Sequence, residues 1–142
     1  MKKRQIVILA VAMIILVPIG IKLYLDTKTY SATDVLKEVD FNMVNAAMDI
    51  ELVDEKAEKK FIPIEVPDTK QKELIEAFET ADFEKARDVM DTTYDYRITF
   101  RLNRHYSMYL DSSKNYLILI ENRPYTIKEG SDFFDILREI KD

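Results

Sequence analysis

Apolar residues form one long block near the N-terminus and short periodic patterns afterwards. The run Ile6–Leu25 is almost continuously apolar, and Lys22 is its only charged residue. A membrane-spanning helix needs about 20 apolar residues, each rising 1.5 Å. Basic residues at positions 2–4 precede the run, and basic flanks stay in the cytoplasm. The pattern predicts a cytoplasmic tail at 1–5, a transmembrane anchor at 6–25 and an extracytoplasmic domain at 26–142.

A cleaved secretory signal is the alternative interpretation of the same run, because the apolar core of a signal peptide has about 7–15 residues. Cleavage needs small residues at positions −3 and −1 of the site. The nearest candidates place Thr29 or Tyr30 at −3, and the absence of cysteine excludes a lipid-modified cysteine anchor. We expect an uncleaved anchor in the cell membrane. Both interpretations export residues 26–142.

Period-two alternation of apolar and polar residues after the anchor predicts strands. The predicted strands cover 43–53, 61–66, 94–102, 106–110, 116–120 and 125–127. The first part of 43–53 also fits a helix. Pro63 cannot donate a ladder hydrogen bond, which indicates an edge strand. Short turns join neighbouring strands, so the sheet should be mostly antiparallel.

Helical spacing predicts four further segments. A short helix that opens at residues 31–34 and runs through Val39 would be capped by Ser31 or Thr33. A second helix follows Asp68, a helical turn restarts at Asp82, and a last helix follows Ser131 or Asp132. The buried stripes comprise Leu74, Ile75, Phe78, Phe83, Ala86, Val89, Met90, Phe133, Ile136, Leu137 and Ile140. The predicted fold class is α+β: a transmembrane helix, then a mostly antiparallel sheet of about five strands with helices packed on one face.

Charge is strongly acidic and unevenly distributed in the exported part. All 26 acidic residues but only 17 of the 21 basic residues follow position 25, which leaves a formal charge of −9. Such a balance argues against nucleic acid as a partner. Residues 49–95 carry −8, whereas residues 96–128 carry +4. Either two elements complement each other within the fold, or the basic half presents a face that attracts anions.

Catalytic motifs are not evident in the sequence. His105 is the only histidine and lies at a predicted turn, and neither Gly-x-Ser-x-Gly nor Ser-x-x-Lys occurs. Asp88 and Asp91 belong to an acidic stretch without the glycine and the ligand spacing of a calcium loop. We therefore expect no enzymatic activity, no cofactor and no metal site.

The candidate binding site is the polar side of the predicted hairpin. Arg97 and Arg101 lie on one strand face with Thr99 between them, and Tyr109 of the next strand faces the same way. Two guanidinium groups beside an aromatic ring can bind a phosphate or a carboxylate. The alternative is a solvated face whose arginines pair with acids of the 73–91 region.

A sequence of weak motifs follows the anchor. Ser-Ala-Thr-Asp-Val-Leu comes first, then a Lys/Glu-rich helix over 69–81, the Tyr-rich strands that begin at Tyr94, Tyr106 and Tyr116, and Pro124-Tyr125-x-Ile. This arrangement resembles small membrane-anchored exported domains of unknown function from Gram-positive bacteria. The resemblance carries over no catalytic residue.

These patterns together favour a membrane-tethered binding or accessory module that acts outside the membrane. Its partner would be an envelope protein or an anionic wall polymer. The second hypothesis is an immunity-type protector, or a regulator of a membrane protein, that acts through its helix.

Overall fold

The N-terminal helix is long, apolar and separate from the core. The computed structural model describes residues 3–56, 58, 60–87, 92–119 and 123–141. Helix α1 spans Lys3–Thr27, and its apolar side chains are exposed along its length. It is long and apolar enough to cross a membrane, with a mean hydropathy of 2.8 for the candidate span Lys3–Leu25. Length and composition therefore agree with a single-pass membrane protein.

One antiparallel sheet forms the centre of the described structure. Its seven strands are β1 (Ala47–Val53), β2 (Phe61–Ile64), β3 (Phe83–Lys85), β4 (Tyr96–Arg101), β5 (His105–Asp111), β6 (Tyr116–Leu119) and β7 (Arg123–Ile127). Their order across the sheet is β2-β1-β4-β5-β6-β7-β3, and every neighbouring pair is antiparallel. The α+β class is confirmed, whereas the predicted number of about five strands is too low.

Strand β3 is the clearest departure from the predicted elements. A helical turn was expected after Asp82, but Phe83 lies in a strand and pairs with Ile127 of β7. The spacing of Phe83 and Ala86 fits a helix as well as a three-residue strand, so tertiary pairing decides between them. The remainder of that prediction falls on 88–91, outside the described residues.

The opposite edge of the sheet follows the prediction. β2 pairs only with β1, and Pro63 lies within it, so the edge-strand assignment is confirmed. Strand β1 begins at Ala47 rather than at residue 43. The residues before it form turns in which the Val44 side chain is 98% exposed. The strand interpretation is thus right for the second part of 43–53 only.

Three short helices pack on one face of the sheet: α2 (Ala32–Val35), α3 (Asp68–Glu79) and α4 (Phe133–Lys141). α2 begins at a capping box between Ser31 and Asp34. It ends sooner than predicted because Leu36 is extended and Glu38 adopts a left-handed φ of 59°.

Phe78 of α3 is the centre of the core beneath these helices. Its ring lies 5.0 Å from that of Phe83 and 4.9 Å from that of Phe100, both on the sheet. It also lies 5.4 Å from the ring of Phe133 on α4 and 6.5 Å from that of Phe41, which follows α2. One residue therefore joins the sheet to three segments that cover the same face.

Alternation along the strands separates this core face from a second face of the sheet. Tyr96, Ile98 and Phe100 of β4 are buried in the core, whereas the residues between them point the other way. We call the second face the outer face. It includes Asp49, Glu51, Arg97, Thr99, Arg101, Ser107 and Tyr109, which the strand register places together.

Candidate functional site

Arg97 is held between a carboxylate and an aromatic ring on the outer face. It lies opposite Glu51 of β1 and Tyr109 of β5 in the register. Its Nε donates to Glu51 Oε2 at 2.5 Å, and its guanidinium carbon lies 3.7 Å from the ring centroid of Phe61. The hydrogen bond to Glu51 raises the pKa of Arg97 above its ordinary value. Arg97 therefore has a fixed position and a paired charge.

Arg101 has a similar but more exposed partner. Its Nε lies 3.1 Å from Asp49 Oδ2, and both side chains are about half exposed, at 49% and 52%. For Arg97 and Glu51 the corresponding values are 31% and 22%. The expected pairing with acids of the 73–91 region is wrong for these described ion pairs, because both carboxylates belong to β1. The acidic segment and the basic segment complement each other here across two adjacent strands.

Tyr109 belongs to an aromatic cluster on the same face. Its ring lies 6.4 Å from that of Phe61 and 5.6 Å from that of Tyr94, which in turn lies 6.4 Å from that of Tyr116. Tyr109 is half-buried, so part of its side chain packs in this cluster and part remains exposed to solvent. Arg97 and Phe61 thus connect the ion pairs to this cluster.

Tyr116 is the buried member of the cluster. Its residue is 4% exposed, and its hydroxyl has no hydrogen-bond partner by geometry among the described residues. Burial raises the pKa of Tyr116 to about 12, and the neighbouring Tyr94 contributes to the rise. The cluster therefore keeps a neutral phenol beneath a partly exposed aromatic surface.

A cleft opens beside the ion pairs where β2 separates from β1. β2 ends at Ile64, whereas β1 continues to Ala47, and the gap has a volume of 830 Å³. The walls of the cleft are formed by Asp49, Glu51, Arg97, Thr99 and Arg101 on one side and by residues 63–67 on the other. With Glu65 included, the cleft carries three carboxylates and two guanidinium groups. Tyr109 is not among the lining residues.

Gln71 of α3 closes the exposed backbone edge of β1 at the base of this cleft. Its Oε1 accepts from the Met48 N–H at 3.0 Å, and its Nε2 donates to the Val66 carbonyl at 2.9 Å. A free strand edge is a template for pairing with another chain. The amide side chain therefore satisfies backbone groups at this edge of β1.

The structure brings the predicted residues together in part. Arg97 and Arg101 share the cleft, whereas Tyr109 lies on the other side of Arg97. Sequence reasoning did not select Asp49, Glu51, Phe61 or Gln71. The alternation of Asp49 and Glu51 with Ile50 marked them as the polar side of a strand. Their partners, however, depend on a register between segments 46 residues apart, which no local pattern encodes.

His105 and Ser107 both lie on β5, but the hydroxyl of Ser107 is hydrogen-bonded to a residue other than His105. Ser107 Oγ shares a hydrogen bond of 2.8 Å with Thr99 Oγ1, and His105 is exposed at the start of β5. Within the described ranges, no group of three or more His, Cys, Asp or Glu side chains is placed to hold a metal ion. Asp88 and Asp91 lie outside those ranges. The main polar contacts described on the outer face are therefore its two ion pairs.

Comparisons with known proteins give no relative for this chain. No protein-family model matches it, and neither a curated protein nor a solved structure matches it. Any functional assignment therefore depends on the contacts and charges described above.

Proposed function

We propose that the chain is a membrane-tethered extracytoplasmic module that binds a segment of another envelope protein through its outer face. Its role is binding or accessory, and it includes no catalytic step. The observation that carries the proposal is the continuous arrangement of paired arginines, half-buried aromatic rings and an adjoining cleft. Arginine and aromatic residues are enriched where proteins bind one another, and they supply much of the binding energy.

The charge of the cleft favours a protein over an anionic wall polymer. The two arginines already face Glu51 and Asp49, and Glu65 adds a further carboxylate. A polymer of uniform negative charge is attracted by an excess of cations, which the cleft lacks. A polypeptide carries both signs and can place its own charges between the existing pairs. Charge complementarity of this kind provides specificity and register.

The orientation of the chain is part of the same proposal. Residues 1–5 would lie in the cytoplasm and residues 26–142 outside, as the basic N-terminus favours. Because the chain has no cysteine, a single introduced cysteine can report its side. In intact cells, an impermeant maleimide should label Ser113→Cys and should label Lys2→Cys only after lysis. The opposite pattern would reverse the topology.

Site-specific crosslinking in the native membrane tests the binding role. A photoreactive residue at Thr99 or Tyr109 should capture a discrete protein, whereas one at Lys72, on the exposed side of α3, should not. Arg97→Ala combined with Arg101→Ala should weaken the capture from Thr99. Equal capture from all three positions, or capture of polymer alone, would refute the protein-binding face.

An anchor exchange separates this proposal from the protector hypothesis. Replacing residues 6–25 by an unrelated spanning helix should preserve capture at Thr99 if the outer face is the binding site. Loss of capture with correct topology would assign the partner to the helix. A partner could bind the helix because the apolar side chains of α1 are exposed.

A further inference from the structure

The end of α1 is fixed to the edge of the sheet by a very short connection. Tyr30 forms an antiparallel bridge with Phe83 of β3, with hydrogen bonds of 2.8 and 2.9 Å. Lys128 Nζ donates to Thr29 Oγ1 at 3.0 Å. Strand β3 and its surroundings therefore lie beside the point where the chain leaves α1.

A basic pocket surrounds this connection. Its volume is 590 Å³, and its lining includes four cationic side chains, from Lys28, Lys37, Lys85 and Arg123. The lining contains a single acid, Asp34, whose Oδ2 accepts from the Ser31 N–H at 2.9 Å and from its hydroxyl at 2.8 Å. The pocket therefore has a formal charge of +3 in a domain whose overall charge is −9.

Tyr30 organises two of these cations. The ammonium of Lys28 lies 5.0 Å and that of Lys85 5.5 Å from the Tyr30 ring centroid. The ring also packs edge-on against Tyr125 at 5.8 Å. In the part of the chain that the structure describes, no carboxylate lies within ion-pair distance of Lys28, Lys37 or Lys85. The pKa of the one acid, Asp34, is lowered mainly by its hydrogen bonds to Ser31 and further by the charge of Lys28, so the cationic charge of the pocket is offset only in part.

The pocket lies at the depth of lipid headgroups if α1 spans a bilayer. α1 ends at Thr27, two residues or about 3 Å of helical rise beyond Leu25, the last residue of the apolar run, and Lys28 comes directly after it. The headgroup layer on each side of the hydrocarbon core is roughly 5–7 Å thick. An ammonium group on Lys28 therefore reaches the plane of the lipid phosphates.

We infer that this basic pocket binds the phosphate group of an anionic lipid in the leaflet that faces the domain. Cationic side chains close to an anionic membrane surface are attracted to its phosphate groups. An acidic domain is otherwise repelled by such a surface, so the pocket directs the β3 edge toward the membrane. The inference rests on the proposed spanning role of α1, and it does not depend on any partner at the outer face.

Reconstitution of the full chain tests this site. The protein is inserted into vesicles of phosphatidylcholine containing a minor fraction of fluorescent phosphatidylglycerol. Energy transfer from a dye at Arg87→Cys, two residues after Lys85, reports local lipid enrichment. The charge-removal variant is Lys28→Gln, Lys37→Gln and Lys85→Gln. Its matched control removes equal charge elsewhere, as Lys56→Gln, Lys60→Gln and Lys72→Gln. Resistance to alkaline extraction confirms that α1 is inserted in every sample.

The expected result is enrichment of phosphatidylglycerol beside the wild-type and control proteins, and enrichment on the order of tenfold weaker for the pocket variant. Equal enrichment for both variants would refute the pocket. Displacement of the lipid by millimolar glycerol phosphate would identify a soluble phosphate ester as the ligand instead. If the triple variant fails to fold, Lys85→Gln alone must still reduce enrichment. Loss of extraction resistance in the wild type would instead refute the spanning role of α1.

Discussion

Arg97 should contribute more to stability than Arg101, although both arginines form an ion pair with β1. Arg97→Ala removes an ion pair whose side chains are only 31% and 22% exposed, worth about 0.2–1 kcal/mol, and a cation–π contact, worth about 0.5–1 kcal/mol at a partly exposed site. The expected loss is therefore about 1–2 kcal/mol in the free energy of unfolding. Arg101→Ala removes only an ion pair that is about half exposed on both sides, so we expect about 0–0.5 kcal/mol.

Urea unfolding of the full chain in an uncharged detergent measures this difference. Seven of the eight tyrosines lie outside α1 and the chain has no tryptophan, so near-UV circular dichroism reports mainly the packed domain rather than α1. Double-mutant cycles with Glu51→Ala and with Phe61→Leu should give separate coupling energies to Arg97. At about 1 M salt the Debye length is about 3 Å, which should remove most of the Arg101–Asp49 coupling and less of the Arg97–Glu51 coupling.

The reasoning depends on the difference in burial and on the ring of Phe61. It would be refuted if Arg101→Ala cost as much as Arg97→Ala, or if the cycle with Phe61→Leu gave no coupling. Arg97→Lys is the matched control, because it retains the charge but loses the planar group that lies on the ring. Its stability should fall between those of the wild type and Arg97→Ala.

Three further results are expected. Phe78→Ala should lower the free energy of unfolding by about 3–5 kcal/mol, because the ring is fully buried against four other rings. An effect below about 1 kcal/mol in the same urea assay would contradict its central place in the core. Gln71→Ala should accelerate hydrogen exchange at the Met48 amide. An unchanged exchange rate would show that the hydrogen bond from Met48 N–H to Gln71 does not protect this amide. Tyr116→Phe should leave stability unchanged or higher at neutral pH, since the hydroxyl has no partner by geometry among the described residues. The pKa of Tyr116 is raised in the folded state, so the folded protein holds that proton more tightly than the unfolded chain does. Between pH 10 and 12, the stability of the wild type should therefore fall by roughly 2 kcal/mol more than that of Tyr116→Phe. Parallel pH profiles of the two proteins would contradict this.

Local pattern predicted most elements but not the full sheet. The alternation around Ile98 identified β4, and the helical spacing around Phe78 identified α3. Both patterns depend only on residues that are close together in sequence. β3 could not be recognised in this way, since three residues are stabilised as a strand by Ile127 and Tyr30, which are distant in sequence. Pairing energy from elsewhere in the chain outweighs local preference there.

The candidate site shows the same division. Alternation alone placed Arg97, Arg101 and Tyr109 on one face, and the register agrees with that placement. It could not show that Glu51 and Asp49 neutralise the arginines, because partner choice depends on which strands are neighbours. Whether the predicted residues bind a ligand remains a prediction for the experiments above.

If α1 spans a bilayer as proposed, the order of the strands limits how far the cleft can lie from the membrane surface. With β3 attached to the end of α1, the cleft beside β1 and β4 lies four to five strand spacings away, or at most roughly 20–25 Å. Only residues 28–30 join α1 to the bridge with β3, so the domain has little freedom to tilt relative to α1. In the proposed topology, a partner of the cleft would reach it by projecting up to that distance beyond the lipid surface.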